Sequence, residues 1–431
     1  MYLMLGNKPI LQFDLSKMYF NIIDKDRLPI PLRGIWNENK EYTIDKNTFS
    51  EEKIQEMQQY IQAIQHYLST RVLNLSRKNA KKLLNAYNFS QSQDEITKAK
   101  IAIICKGVSM IDSYWINTDD FKFNWKEINV RTNSLNKIVS HIALTGSSLT
   151  ATGRAHTPEF ALHGAYAKSW IREEDGIYLY KAGTGLNEEK IECSVSKILE
   201  CFNVNRLKYE LTKYINKEDD TNLSVSKCKC MSNERYSICS AEDIYSMCNR
   251  QGIDFLKYVL SIDAENIYKM CIIDYLISNS DRHLGNWGFY VNNETGIITC
   301  CHDLYDHNNA FDEGDIKHPE GGDSKIFQGM SKKKAALYSL KKCNFVLIKP
   351  ISGDMFISEE HYESCMERLC QLGLYRKNDK ALTLFGRLRR QQLYTINENK
   401  YNPNVNLSFK PSDFNIPLEN NSIDIDKDKF Y

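Results

Sequence analysis

The chain has no excess of charge of one sign. Fifty-six Lys and Arg stand against 55 Asp and Glu in 431 residues, a net charge of +1. A protein built to grip phosphodiester backbones shows a basic excess or a basic face, so direct nucleic-acid binding is not expected. Long apolar runs are missing too. None approaches the roughly 20 residues needed to cross a bilayer, so no membrane partner is expected. The first residues, Met1-Tyr2-Leu3-Met4-Leu5-Gly6, lack the basic and apolar stretches of a secretory signal. The 13 cysteines, an odd number, show no paired Cys-x-x-Cys knuckles. Cys228, Cys230, Cys239 and Cys248 are close in sequence, and Cys300-Cys301-His302 forms a second group. Their spacing suits small buried hydrophobes with reduced thiols better than zinc, which predicts a cytoplasmic protein. No internal repeat or strict low-complexity block is present. What the chain does have is 42% hydrophobic residues and a length that predicts two or three packed subdomains.

Four stretches differ in character. Residues 1–145 read as an accessory region. Two short strands lie between Met4 and Asp14, around Gly6-Asn7-Lys8-Pro9. Thr48-Phe49-Ser50-Glu51 fits a capping box ahead of a helix with Ile54, Met57, Ile61, Ile64 and Leu68 on one face. Helices are also expected near 77–87, 94–106 (closed by Gly107) and 134–144. Residues 146–240 begin with the small and hydroxyl residues of Thr145 to Gly153. They continue with a hairpin that turns at Glu173 to Gly176, a helix over 188–202, and strands over 205–211 and 223–230. Residues 241–396 read as mainly helical. A long apolar helix over 264–280 precedes a hairpin at 289–299, and helices over 358–372 and 379–394 follow. Residues 397–431 are a polar tail rich in Asn, Asp and Lys.

Asp281-Arg282-His283-Leu284-Gly285-Asn286 follows the long apolar helix and precedes the hairpin. Phosphoryl transfer asks a protein for positioning and charge neutralisation rather than covalent chemistry. Asp281 can face the attacking hydroxyl. The side-chain oxygen of Asn286 can face Mg²⁺, and Asp306 across the hairpin can complete the set of hard oxygen ligands. Asp303 competes with Asp306 for that role. Upstream, Ile177-Tyr178-Leu179-Tyr180-Lys181-Ala182 places Lys181 at a strand end, where an ammonium can reach nucleotide phosphates. Glu192 in the following helix is placed to brace it. His163-Gly164-Ala165-Tyr166-Ala167 supplies a Gly and small residues where backbone N–H groups can approach phosphate.

These motifs together resemble HipA-like kinases. Gly164-Ala165-Tyr166-Ala167-Lys168 resembles their phosphate loop and Tyr180-Lys181-Ala182 their nucleotide lysine. Asp281 to Asn286 is similar to their catalytic loop, and Leu304-Tyr305-Asp306 to their metal-binding segment. The resemblance spans roughly 147–311. It implies an α+β, bilobal, protein-kinase-like fold with a mixed N-lobe and a mainly helical C-lobe. A helical N-terminal accessory region precedes these lobes. It also implies ATP and Mg²⁺ as cofactors and Ser or Thr of a protein as acceptor, and it leaves room for an antitoxin-like or regulatory partner. In this reading Asp281 is the catalytic base and His283 supports it. Asn286 and Asp306 hold metal. Gly164, Ala165, Tyr166, Ala167, Lys181 and Glu192 serve the nucleotide. The toxin members carry an autophosphorylated Ser just before the phosphate loop. Ala161 stands at that place here, with Thr157 and the hydroxyls of 147–152 nearby. Two rival readings are a phosphoinositide or small-molecule kinase, whose catalytic loop is also Asp-Arg-His-like, and a catalytically dead nucleotide-binding module.

Overall fold

A computed structural model of the chain describes residues 1–35, 51–118 and 123–375. Strands β1 (Tyr2–Leu5) and β2 (Lys8–Asp14) pair antiparallel about the Gly6-Asn7 turn, as the composition predicts. Strand β3 (Tyr19–Ile22) extends this pair. Helices α1 (Glu51–Ser69), α2 (Ala80–Ala86) and α3 (Glu95–Ile104) follow. The apolar face of α1 is buried through Met57, Ile61, Ile64 and Leu68. Residues 48–50 of the expected capping box lie outside the described residues. Asp94 caps α3 by accepting from the Thr97 amide at 2.8 Å, and Gly107 closes the helix at φ +56°.

Strand β4 (Tyr114–Asn117) then pairs with β1, giving the sheet order β3-β2-β1-β4. The region expected to be helical is therefore mixed. Strand β4 is hidden in the sequence because Tyr114, Trp115 and Ile116 are all buried and show no alternation. Both faces of this sheet are covered. Leu3 and Leu5 join a core with α1 and α3, whereas Met4 joins Trp115, Trp125 and Trp170 on the other side.

Helix α4 (Trp125–Ile128) opens on a capping box at Asn124, and α5 (Lys137–Thr145) ends at Gly146 in the left-handed region. The expected hairpin is β5 (Ala167–Glu173) and β6 (Gly176–Ala182). Helix α6 (Glu188–Leu199) comes next, followed by β7 (Tyr209–Asn216) and β8 (Thr221–Lys229). These complete a sheet in the order β5-β6-β8-β7. Strand β7 starts four residues later than expected. Asn205 and Leu207 instead bond to Leu304, through Leu304 N to Asn205 O (3.0 Å) and Leu207 N to Leu304 O (2.9 Å). Strand β9 (Tyr236–Ser240), which sequence reading missed, leads into α7 (Ala241–Gln251) and α8 (Phe255–Leu276). Strands β10 (Gly288–Asn292) and β11 (Ile298–Cys301) join β9 in the order β11-β10-β9. Helices α9 (Glu313–Lys317), α10 (Lys332–Leu340) and α11 (Glu359–Gln371) end the described chain. The helix expected over 379–394 and the tail from 397 lie outside it.

Two compact units are present. The first contains residues 1–186, 210–258 and 288–302. The second contains residues 187–209, 259–287 and 303–375. No helix among the described residues is long and apolar enough to cross a membrane.

Helix α8 determines where the Asp281 loop begins. It breaks at Asp263, whose backbone is non-helical. The Asp263 side chain accepts from the Asn266 amide at 3.2 Å, so the following segment has its own N-cap and starts at Ala264, where the apolar period begins. At the other end, Ser278 N donates to Tyr275 O (3.2 Å) and Asn279 N to Asp274 O (2.9 Å). This is a Schellman closure with Ser278, at φ +51°, in the place that glycine usually takes. The Ser278 hydroxyl is buried without a hydrogen-bond partner. Ser278→Gly should therefore raise stability by about 1 kcal/mol, since it relieves a left-handed non-glycine residue and removes an unsatisfied hydroxyl. Urea denaturation checks this, and a destabilised variant would contradict it.

Candidate active site

The Asp281 loop in the second unit is built around a buried ion pair. Arg282 is 2% exposed and Asp274, in the last turns of α8, is 5% exposed. Arg282 Nε lies 3.1 Å from both Asp274 oxygens, and Nη2 lies 3.0 Å from Oδ1. Burial pulls the guanidinium pKa down, but the Asp274 carboxylate outweighs it and holds the pKa above its ordinary value. The remaining fork atom, Nη1, donates to the carbonyls of Asn286 (2.6 Å) and Tyr305 (3.3 Å). One side chain thus ties the helix end, the last residue of the loop and the Tyr305 segment together. Asn279 adds a bond from Nδ2 to Asp274 Oδ1 at 2.8 Å. The Tyr305 hydroxyl donates to Gly285 O at 2.9 Å.

Within this frame Asp281 and Asn286 meet. Asn286 Nδ2 donates to the Asp281 carbonyl at 2.8 Å and approaches its Oδ2 at 3.4 Å. Carbonyl and carboxylate oxygens only accept, so the amide nitrogen must face Asp281, and Asn286 Oδ1 points elsewhere. Asn309, which the sequence gave no reason to single out, donates to Asp281 Oδ2 at 2.8 Å. The carboxylate is oriented yet remains 38% exposed. His283 Nδ1 accepts from the Gly285 amide at 3.0 Å and caps the short turn Leu284–Asn286. That bond requires an unprotonated Nδ1, so the neutral ring carries its proton on Nε2, 3.9 Å from Asp281 Oδ1. His283 therefore shapes the loop without bonding the carboxylate.

Asp306 is half-buried and adds to the negative field on Arg282. Its φ is +59°, and that of Phe311 is +58°. Phe311 N bonds to Ile277 O at 2.7 Å and Asp312 N to Ser278 O at 3.3 Å, so this segment docks on the closed end of α8. Three left-handed non-glycine residues, Ser278, Asp306 and Phe311, thus surround the loop. Such strain survives only where the surroundings over-determine it. Asp303 is also half-buried. Glu192 is buried in α6 of this unit.

The first unit carries the Gly164 loop and Lys181. Gly164 has φ +94°, and a Cβ there would stand 2.6 Å from Lys168 Nζ. The Lys168 ammonium therefore lies against the glycine backbone, in space that a side chain would take. Lys168 (7% exposed) pairs directly across the hairpin with Lys181 (5% exposed), so both project from one face of the sheet. His163, Gly164 and Ala165 are exposed, Tyr166 is half-buried and Ala167 is buried. Two ammonium groups on one sheet face beside exposed loop backbone suit an anionic ligand with several oxygens. In the sequence Lys168 is only the last residue of the Gly164 motif, and the close approach to Gly164 is what marks it.

Most of the cysteines, including Cys228, Cys239, Cys248 and Cys301, are buried. Among the described residues no group of three or more His, Cys, Asp or Glu is arranged to hold a metal ion.

Removing Arg282 would leave Asp274 buried without its ion-pair partner. Arg282→Ala should cost about 3–5 kcal/mol of stability. Asp274→Ala with Arg282→Ala should cost less than the two single changes added together. Urea denaturation of the four proteins measures this, and strict additivity would contradict the coupling.

No protein-family model and no curated protein matches the chain. Among solved structures it is similar to the proinflammatory kinase CtkA of Helicobacter pylori. The identity is 15% over 48% of this chain and 90% of that one, with a TM-score of 0.33. It is also similar to HipA of Shewanella oneidensis MR-1, solved as a toxin–antitoxin system with HipB and its operator DNA. There the identity is 11% over 91% of this chain and 99% of that one, with a TM-score of 0.44.

Proposed function

We propose that the chain is an ATP- and Mg²⁺-dependent phosphotransferase that phosphorylates Ser or Thr of a protein. The observation that carries this reading is the pairing of Asp281 with Asn286. One turn holds a half-exposed carboxylate in a fixed orientation and directs an amide oxygen away from it. A general base needs the first feature and a hard-cation ligand suits the second.

The roles follow from the chemistry of each group. Asp281 accepts the proton of the acceptor hydroxyl as its oxygen bonds to the γ-phosphorus. The bond from that phosphorus to the bridging oxygen breaks, and ADP leaves. Asn286 Oδ1 and the Asp306 carboxylate are oxygen donors of the kind Mg²⁺ takes and would hold it here. When bound, the ion neutralises charge on the transferring group. Lys181, joined by Lys168, serves the phosphates as paired point charges. The Gly164 loop offers backbone N–H groups to the same phosphates.

Incubation with labelled ATP and Mg²⁺, with protein and lipid acceptors side by side, tests the reading. Label should appear on protein. Asp281→Asn should lower transfer by at least about 100-fold with the fold intact, the range for loss of a general base. Lys181→Ala should weaken ATP use as well as slow the reaction. Label on lipid only would replace the acceptor class. Wild-type turnover by Asp281→Asn would refute the assignment. Comparing the phosphoproteins of cells that express wild type or Asp281→Asn would then identify the acceptor.

A further inference from the structure

Arg77 lies in the turn before α2, far in sequence from the phosphate loop, and is 2% exposed. Its guanidinium bonds to three carbonyls of one distant segment. Nη1 donates to Glu159 O at 2.7 Å and more weakly to Leu162 O at 3.4 Å, and Nη2 donates to Lys168 O at 2.5 Å. These carbonyls bracket the Gly164 loop at both ends. The next residue holds the loop near its tip, with Lys78 N donating to Ala165 O at 2.8 Å. The same stretch has a second anchor. The buried Glu159 carboxylate accepts from Ser169 Oγ (2.9 Å), from Trp170 N (3.2 Å) and from the Thr157 hydroxyl.

Keeping a guanidinium in this place is costly. Burial pulls its pKa down to about 10, with Glu159 acting in the opposite direction. Its Nε is buried without a hydrogen-bond partner. A side chain needed only to fill space would be cheaper if it were apolar. What an arginine adds is a rigid planar fork, able to hold two chain segments at a fixed separation. A lysine is a single point charge and cannot span Glu159 O and Lys168 O in that way.

We infer that Arg77 is a positioning residue for the nucleotide phosphates. It sets the width of the Gly164 loop, and so the placement of the exposed backbone at 163–165 and of the Lys168 ammonium. The inference rests on the phosphotransferase reading, because that reading makes the Gly164 loop the phosphate site. It also gives the N-terminal region a direct hold on nucleotide affinity, since both Arg77 and Lys78 belong to that region.

Arg77→Lys tests this against Arg71→Lys as a matched control. Arg71 is another buried arginine, and its partners, Asp112 at 2.8 Å and Gly107 O at 2.5 Å, are not residues of the Gly164 loop. Hydrogen exchange of the ligand-free proteins, binding of Mg–ATP and steady-state kinetics are measured on both variants. In Arg77→Lys the amides of 159–168 should exchange faster. Its Kd and KM for ATP should rise about ten-fold with kcat at saturation nearly unchanged, as expected for loss of a bidentate fork. Arg71→Lys should lower the melting temperature and leave KM alone. Unchanged loop exchange or unchanged ATP affinity in Arg77→Lys overturns the inference. So does an equal KM rise in Arg71→Lys, which would indicate general loosening. A wild-type chain that binds no Mg–ATP defeats the phosphotransferase reading itself and takes this inference with it. Wild-type binding with unaltered Arg77→Lys defeats the inference alone.

Discussion

The Asp274–Arg282 ion pair is the constraint on which the candidate catalytic loop depends. A buried carboxylate at the end of an apolar helix is costly unless its partner is held in good geometry. Here the partner is the second residue of the loop, so the helix end and the loop cannot move apart without exposing a charge to an apolar interior. The guanidinium then has one more direction available and spends it on the carbonyls of Asn286 and Tyr305. That fork ties the loop to the segment leading to Asp306, and the bonds of Tyr305, Asn309 and Phe311 complete the frame. The left-handed residues Ser278, Asp306 and Phe311 are tolerated because the same frame holds them.

The first unit solves a similar problem with another arginine. The Gly164 loop is exposed, contains a positive-φ glycine and has Lys168 lying against its backbone. Such a loop has little to hold it by itself. Arg77 and the Lys78 amide supply the restraint from a different part of the chain. In both units, then, a planar cation organises loop backbone that carries no regular hydrogen-bond ladder of its own. The residues that would touch nucleotide are held by residues that would not.

Much of this was legible in the sequence, for identifiable reasons. Apolar period and turn chemistry marked the strand that carries Lys181, the hairpin at β5 and β6, and the apolar helix before Asp281. Its start at Ala264 was readable from the apolar run alone, and the cap at Asp263 that fixes it shows only in the structure. What stayed hidden depends on proximity in space. Asp274 and Arg282 are eight residues apart across a helix end, and nothing in their spacing announces a pair. Arg77 is more than eighty residues from the loop it holds. Asn309 reads as an ordinary loop amide until it is seen against Asp281. Strand β4 is buried on both faces and shows no alternation. The early half of the run at 205–211 reads as strand, but it pairs with Leu304 instead of joining the sheet.

The most direct measurement of the central claim is single-turnover transfer of the γ-phosphoryl group from labelled ATP with saturating Mg²⁺. It compares the wild type with Asn309→Ala, and nucleotide affinity is measured on the same samples. Asn309 orients the Asp281 carboxylate and has no assigned role toward the nucleotide. If the oriented carboxylate is the base, the wild type transfers phosphate and the variant does so about ten- to a hundred-fold more slowly at unchanged affinity. Equal rates in the two proteins, or no transfer by the wild type, would contradict it.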